Sequence, residues 1–428
     1  MGKKVIISIA SRDYLDSVGG AEKAIAVQQK QFNISNYEYV YIFPIKKKMG
    51  IISISMWGCR INGVYVGAFS EYSLLSHLKQ SYSQNICAIM IHHLRFVDLE
   101  GLEMLLKAIE KAPIYVYLHD YYLICNQYNL LKNGIKYCGG IGEDCNTCEF
   151  KDHTIQNKIR NVFNKFLDRL TFIAPSEIAK QIFAKNYPQY SRHTRVISHQ
   201  TLKGMYKKNK QVIENRKIKI AFCGAPATNK GWDDWVELLS AYENNSSYEF
   251  YHLGVPALNE PSNSKHIDVR FKGNNLNPMI NALRDNEIDV VFLWSNWPET
   301  YSYVFYECWA SNVFILTQEN SGNMAHMTSV LKNGIVLSNL IEVRKLLDNP
   351  ELFKTEINNY KSTAKYGPEL LYDNNDIVDI CNEIKANYQI DVSAFAKRKR
   401  NFILEKSVSY AYLLKLRLKN ENQNRKCK

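Results

Sequence analysis

The sequence predicts two doubly wound α/β domains in tandem, and three observations carry that expectation. Short apolar, β-branched segments alternate with segments of helical periodicity along most of the chain. The alternation stops in a polar, charged stretch near residues 200–216 and then restarts. The length of 428 residues suits two domains of ordinary size.

The elements follow in order. "KKVIISIAS" (3–11) reads as a strand and "GAEKAIAVQQKQF" (20–32) as a helix. "YEYVYIF" (37–43) and "ICAIMIHHL" (86–94) read as strands. "DLEGLEMLLKAIEKA" (98–112) is a helix opened by Asp98. "PIYVYLHD" (113–120) and "TFIAPS" (171–176) are strands, and Ser176 suits the N-cap of "SEIAKQIFAKNY". After "KGMYKKNKQVIENRK" the pattern resumes. "KIKIAFCGAP" (217–226), "YEFYHLG" (248–254), "DVRFKG" (268–273), "DVVFLW" (289–294) and "VFILTQ" (313–318) read as strands; "GWDDWVELLSAYE" (231–243) and "SYVFYECWA" (302–310) read as helices. The expected divisions are 1–203, 204–372 and a C-terminal segment, 373–428. Parallel sheets are expected in both domains, with a cleft between the carboxyl ends of their strands.

Composition narrows the class. A hydrophobic content of 46% and a charged content of 22% fit a soluble globular protein. No run long enough to span a bilayer stands out. "MGKKVIISIASRD" lacks the apolar core of a signal peptide, so a cytoplasmic location is expected. The ten cysteines are then expected as thiols or metal ligands. The net charge is +12, and Lys397 to Lys428 holds eleven Lys and Arg against Glu405 and Glu421. The rest of the chain is near neutral, which argues against nucleic acid as a partner. The tail mixes its cations with Phe402, Ile403, Leu404, Leu413, Leu414, Leu416 and Leu418. It reads as a basic amphipathic helix for an anionic membrane surface, or as a helix docked on the rim or on a partner.

The segment "PETYSYVFYECWA" (298–310) carries the chemistry. Glu299 would lie at the carboxyl end of the strand "DVVFLW". The helix behind it would aim the amides of Tyr303 and Val304 at the cleft, a setting that suits phosphate. Glu299 could accept from sugar hydroxyls and Glu307 from a ribose diol, so one segment would hold three parts of a nucleotide sugar. By itself the pair reads equally well as two solvated glutamates. Other segments point to the same cleft. "SVGGAEKAI" places Gly19 and Gly20 in a strand-to-helix turn, and "AFCGAPATNKGWDDWVELL" places Gly224 and Lys230 in another. "VYLHDYYLIC" puts His119 and Asp120 at a strand end; His92 and His93 lie at the next and rank lower. Gly322 lies in "QENSGNM", after the strand "VFILTQ".

Taken in order, these segments resemble the motifs of retaining glycosyltransferases with the GT-B fold, family 4 in particular. The resemblance covers most of residues 1–390. It implies two Rossmann-like domains, the first for the acceptor and the second for the nucleotide sugar. A helix around "NNDIVDICNEIKANY" would cross back onto the first domain. It implies transfer from a UDP- or GDP-sugar to a hydroxyl of a glycan or lipid-linked acceptor, with retention and without a catalytic metal. The setting would be bacterial surface polysaccharide synthesis, at the inner face of the membrane. Lys230 would neutralise the diphosphate, Glu299 hold the donor sugar, Glu307 the ribose, and His119 touch the sugar near the reacting centre. Gly19, Gly20, Gly224 and Gly322 would let backbone approach the donor, and Asp120 would line the cleft. Departures are Ala225, where the family has arginine, and the bulky Tyr301 and Tyr303 in the turn. They keep open a non-catalytic GT-B partner; a GT-B sugar-nucleotide epimerase is the other alternative.

Cys125, Cys138, Cys145 and Cys148 follow a C-x12-C-x6-C-x2-C spacing, with Gly139, Gly140 and Gly142 among them. Four thiolates suit a structural zinc. Free thiols, a disulfide or an iron–sulfur site are the other readings. Similar inserts after a His-Asp pair occur in some bacterial glycosyltransferases.

Overall fold

The computed structural model describes residues 2–16, 19–49, 52–82, 85–203, 213–270, 277–363, 371–385, 388–392 and 402–426. Most of the polar junction, the end of "DVRFKG" and the basic run at 397–400 lie outside the described residues.

The first sheet has eight strands. Their spatial order is Thr194–Val196, Leu170–Ala174, Ile114–Tyr117, Ile86–Ile91, Lys4–Ile9, Tyr37–Met49, Ile52–Ile61 and Val64–Phe69. The first six are parallel. Ile86–Ile91 is buried at every position, as a strand covered on both faces must be. Alternate residues feed opposite cores: Ile7 and Ile9 join one apolar cluster and Ile6 the other. The last two strands differ from the all-parallel expectation, because they run antiparallel. For the last pair the cause is local: Asn62 and Gly63, between Ile52–Ile61 and Val64–Phe69, both take positive φ (50° and 86°), the requirement of a two-residue hairpin turn.

The second sheet has six parallel strands, ordered Ser264–Asp268, Tyr248–Gly254, Ile218–Cys223, Val290–Leu293, Phe314–Gln318 and Gly334–Leu337. The edge strand is Ser264–Asp268, so it ends at the residue where the sequence places the start of the strand "DVRFKG". As an edge it pairs on one side only and is nowhere fully buried, which permits its polar sequence.

Between the domains, Gln200–Leu202 on the way out pairs antiparallel with Leu371–Asp373 on the way back. The helix Asp376–Glu383 then crosses to the first domain. There Tyr37 donates to the Asn382 side chain at 2.9 Å and the Cys87 thiol to the Cys381 carbonyl at 3.4 Å.

The terminal helix Phe402–Lys426 lies on the first domain. It buries Val408 and Tyr412, and Tyr412 donates to Asp13 at 2.8 Å. Glu405 accepts from the amide and hydroxyl of Ser70. Lys415 and Lys419 pair with Asp16. The opposite side exposes Ile403, Tyr410, Leu414 and Leu418. Among the described residues, no helix is long and apolar enough to cross a membrane.

Candidate active site

The strand Val290–Leu293 runs to the cleft and delivers residues 294–302, after which Tyr303–Ala310 turns helical. Ser302 caps that helix by accepting from the Phe305 amide at 3.4 Å, and Val304 lies in its first turn. Glu299 is only 5% exposed. Its Oε1 lies 2.5 Å from Lys230 Nζ, and the lysine side chain is 39% exposed. Two glycines make this approach possible. Gly231, at φ +81°, follows Lys230; a Cβ there would lie 2.2 Å from the Trp294 carbonyl. Gly322, at φ +62°, packs against the peptide before Glu299; a Cβ there would lie 2.5 Å from the Pro298 carbonyl carbon. The Asn323 amide then donates to the Glu299 carbonyl at 2.9 Å.

Glu307 is 3% exposed. Its Oε2 accepts from the Met279 amide at 3.0 Å. Its Oε1 lies 3.2 Å from Lys23 Nζ, which comes from the first domain. Lys23 also donates to Asn277 at 3.1 Å and sits 4.3 Å from the centre of the Tyr303 ring. Burial pushes the Glu307 carboxyl up and the Lys23 ammonium down, and each group's charge opposes the shift of the other. Lys23 stands on the helix Gly20–Ile34, in the turn that Gly19 and Gly20 open. A Cβ at Gly20 would meet nothing within 4 Å, so space adjoins that turn.

His119 belongs to a stack of rings that spans both domains. Tyr117 stacks on His92 at 4.4 Å, His92 on His119 at 5.2 Å, His119 on His199 at 5.5 Å, and His199 on Tyr303 at 5.6 Å. The protons follow from the partners. The Gln28 amide nitrogen donates to the Tyr117 hydroxyl at 2.6 Å, which turns Gln28 Oε1 toward His92 Nε2 at 3.1 Å. His92 therefore carries its proton on Nε2 and accepts at Nδ1. His119 Nε2, 2.9 Å from that atom, donates to it, and the neutral His119 keeps its lone pair on Nδ1. Asp120 faces away from this stack and pairs with His93 at 3.0 Å. The Thr300 hydroxyl donates to the His119 carbonyl at 2.6 Å, so the Glu299 loop is tied to the first domain.

Burial holds these histidines neutral. It lowers His92 to about 3 and His199 to about 4, the Lys23 ammonium adding to the effect at His199, and it lowers His119 well below the usual range. Stability from such groups is complete above the unfolded value of ~6.5 and is lost as pH falls through it toward the folded values. The melting temperature should therefore decline between about pH 6.5 and 4. His199→Asn should flatten that decline in calorimetry across the same range. An equally steep decline in the variant would remove His199 from the account.

Lys230, Glu299 and Gly322 thus come together, and Glu307 and Tyr303 gather around Lys23. Gly224 ends the strand Ile218–Cys223, and its carbonyl accepts from His252 Nε2 at 3.1 Å. Cys125, Cys138, Cys145 and Cys148 line a separate cavity of about 20 Å³. The Gln127 amide points at Cys125 Sγ from 3.4 Å. Sequence reasoning missed Lys23, Gln28, His199 and Thr300. For Lys23 a signal existed: it is a lysine spaced four residues from Val27 on the apolar face of its helix.

No protein-family model matches the sequence, and no curated protein matches it. Solved structures do. Sucrose-phosphate synthase from Thermosynechococcus elongatus superposes with a TM-score of 0.54 at 8% identity, over 85% of this chain and 95% of that one. WaaG, a glycosyltransferase involved in lipopolysaccharide biosynthesis, gives 0.50 at 10% identity, over 89% of this chain and 100% of that one. Anabaena HepE in complex with UDP gives 0.50 at 12% identity, over 89% and 100%. At such identities the likeness is one of architecture: the chain has the GT-B fold, two Rossmann-like domains facing a cleft.

Proposed function

We propose that the protein is a retaining glycosyltransferase that moves a sugar from a UDP- or GDP-sugar to a hydroxyl of a glycan or lipid-linked acceptor in surface polysaccharide synthesis. The observation that carries this is the buried Glu299 held 2.5 Å from a half-exposed Lys230 at the strand ends of a GT-B fold. A donor sugar hydroxyl would replace Lys230 at Glu299. The ammonium is then available for the diphosphate, whose charge grows as it departs. The amides of Tyr303 and Val304 add to that stabilisation. The leaving phosphate oxygen takes the acceptor proton on the same face of the sugar, which gives retention without a protein nucleophile or a catalytic metal. Glu307 takes the ribose diol once Lys23 is displaced. His119 offers Nδ1 as an acceptor near the reacting centre.

Two peripheral features complete the proposal. A structural zinc among Cys125, Cys138, Cys145 and Cys148, which line one small cavity, would draw their sulfurs together, because no three of them lie within 4.8 Å of one another. The exposed apolar stripe of the terminal helix, with Lys406 and Arg417 beside it, would rest on an anionic membrane. One observation favours a non-catalytic reading: both glutamates already have lysine partners, so a donor must displace them.

The test is a panel of nucleotide diphosphates and nucleotide sugars, read by thermal shift on the wild type and on Glu307→Gln. A true donor at about 100 times its dissociation constant adds about 2.7 kcal/mol of stability. The expected result is a shift with one base, lost in the variant, followed by transfer with that donor. Folded protein that responds to no nucleotide would favour the non-catalytic reading.

A further inference from the structure

The second domain holds a group of side chains that the proposed transfer does not use. Among the described residues, the one set of three or more His, Cys, Asp or Glu whose ligand atoms all lie within 4.8 Å of one another is His252, Glu260 and His266. The fold builds it. His252 and His266 are register partners on the parallel strands Tyr248–Gly254 and Ser264–Asp268, so their side chains leave the same face of the sheet. Their rings are 5.1 Å apart. Glu260 comes from the loop between those strands, and the Ala257 amide, 2.6 Å from its Oε1, aims it.

The imidazole protons decide what this group wants. His252 Nε2 lies 3.1 Å from the Gly224 carbonyl, and His266 Nε2 lies 3.0 Å from the Gly254 carbonyl. Carbonyl oxygens only accept, so both Nε2 atoms carry hydrogen. In a neutral imidazole the lone pair is then on Nδ1. His252 Nδ1 faces both Glu260 carboxylate oxygens, at 2.9 and 3.1 Å. Lone pair against carboxylate is repulsive, so a proton or a cation belongs between them. Two arrangements supply it: a proton shared by His252 and Glu260, or a metal cation. The His252 side chain is fully buried. A second imidazole beside it adds a further lone pair, which a proton on His252 does not need and a metal does. Giving the far N–H to a backbone carbonyl is also how metal-bound histidines are usually oriented.

We infer that His252, Glu260 and His266 form a binding site for a borderline divalent transition metal, Zn²⁺ or Co²⁺, through two imidazole nitrogens and one carboxylate. None of the three residues is among those assigned to the transfer above. It grips the Gly224 carbonyl through His252, whose ring also packs 4.7 Å from Trp232, at the start of the helix behind Lys230. A bound ion fixes that loop.

The experiment is a Co²⁺ titration of metal-stripped full-length protein, followed by calorimetry and visible absorption. The variants are Glu260→Gln and His266→Asn, each first shown folded by circular dichroism. Co²⁺ at the four cysteines gives intense thiolate charge-transfer bands, whereas a site of nitrogen and oxygen gives none. The expected result is one equivalent without those bands in the wild type, absent in both variants, with any thiolate signal unchanged. Because binding is read directly, this result stands or falls apart from sugar transfer. A wild type that binds only with thiolate bands overturns the inference. An extra equivalent that survives in both variants overturns it as well.

Discussion

Lys230→Ala should lower turnover by roughly 10²–10³-fold, the usual scale for losing one preorganised group that meets developing charge. The lysine is half-exposed and ends a short turn, so the fold should survive its truncation. Water can reach its place and partly solvate Glu299. The larger effect belongs in kcat, because charge on the departing diphosphate exceeds that in the bound donor. Lys230→Arg should keep a cation but place it differently, and so recover part of the rate. Steady-state kinetics with the donor found in the nucleotide panel provide the measurement. A variant with normal kcat and a raised KM would mean that Lys230 merely binds, and the catalytic role assigned to it would fall.

The second large effect is expected on stability. Lys23→Met should cost about 3–5 kcal/mol, because it leaves the Glu307 carboxylate buried without its counter-charge. Glu307→Gln should cost a similar amount for the converse reason. The double variant should recover much of the loss, since two neutral groups need no compensation. Urea unfolding of the four proteins closes the cycle. Strictly additive losses would show that the pair is not coupled and would falsify the reading of Lys23 as the counter-charge that holds Glu307 buried. The pair also bears on the missing arginine. Ala225 supplies no cation beside Gly224, while Lys23 brings one to the same cleft from the opposite domain.

How much of this the sequence reveals depends on range. The apolar runs at 86–91 and 290–293 are buried throughout, so composition alone marks them. The Glu299 and Glu307 pair is legible for the same reason: one strand, one turn and one helix place both carboxylates. The antiparallel hairpin had its signal in Asn62-Gly63, a turn that the strand–helix alternation does not weigh. The edge strand 264–268 reads as polar because only one side of it pairs. Lys23 and Glu307 are 284 positions apart, and nothing in local periodicity joins them. The ring stack draws on Tyr117, His92, His119, His199 and Tyr303, four segments that meet only once both sheets have formed.

The antiparallel pair of Gln200–Leu202 and Leu371–Asp373 has a mechanical consequence. The chain leaves the first domain and returns to it along one narrow ribbon. The covalent connection thus lies along one line, and noncovalent contacts such as Thr300 with the His119 carbonyl and Lys23 with Glu307 close the domains across it. Tyr301 binds this axis, since its hydroxyl accepts from the Gln200 amide at 2.9 Å. The His199 ring, one residue before this ribbon, is the closest part of the stack to it in sequence. Lys23 and Glu307 lie on opposite sides of that line, so a rotation about it would part them before it disturbed the ribbon.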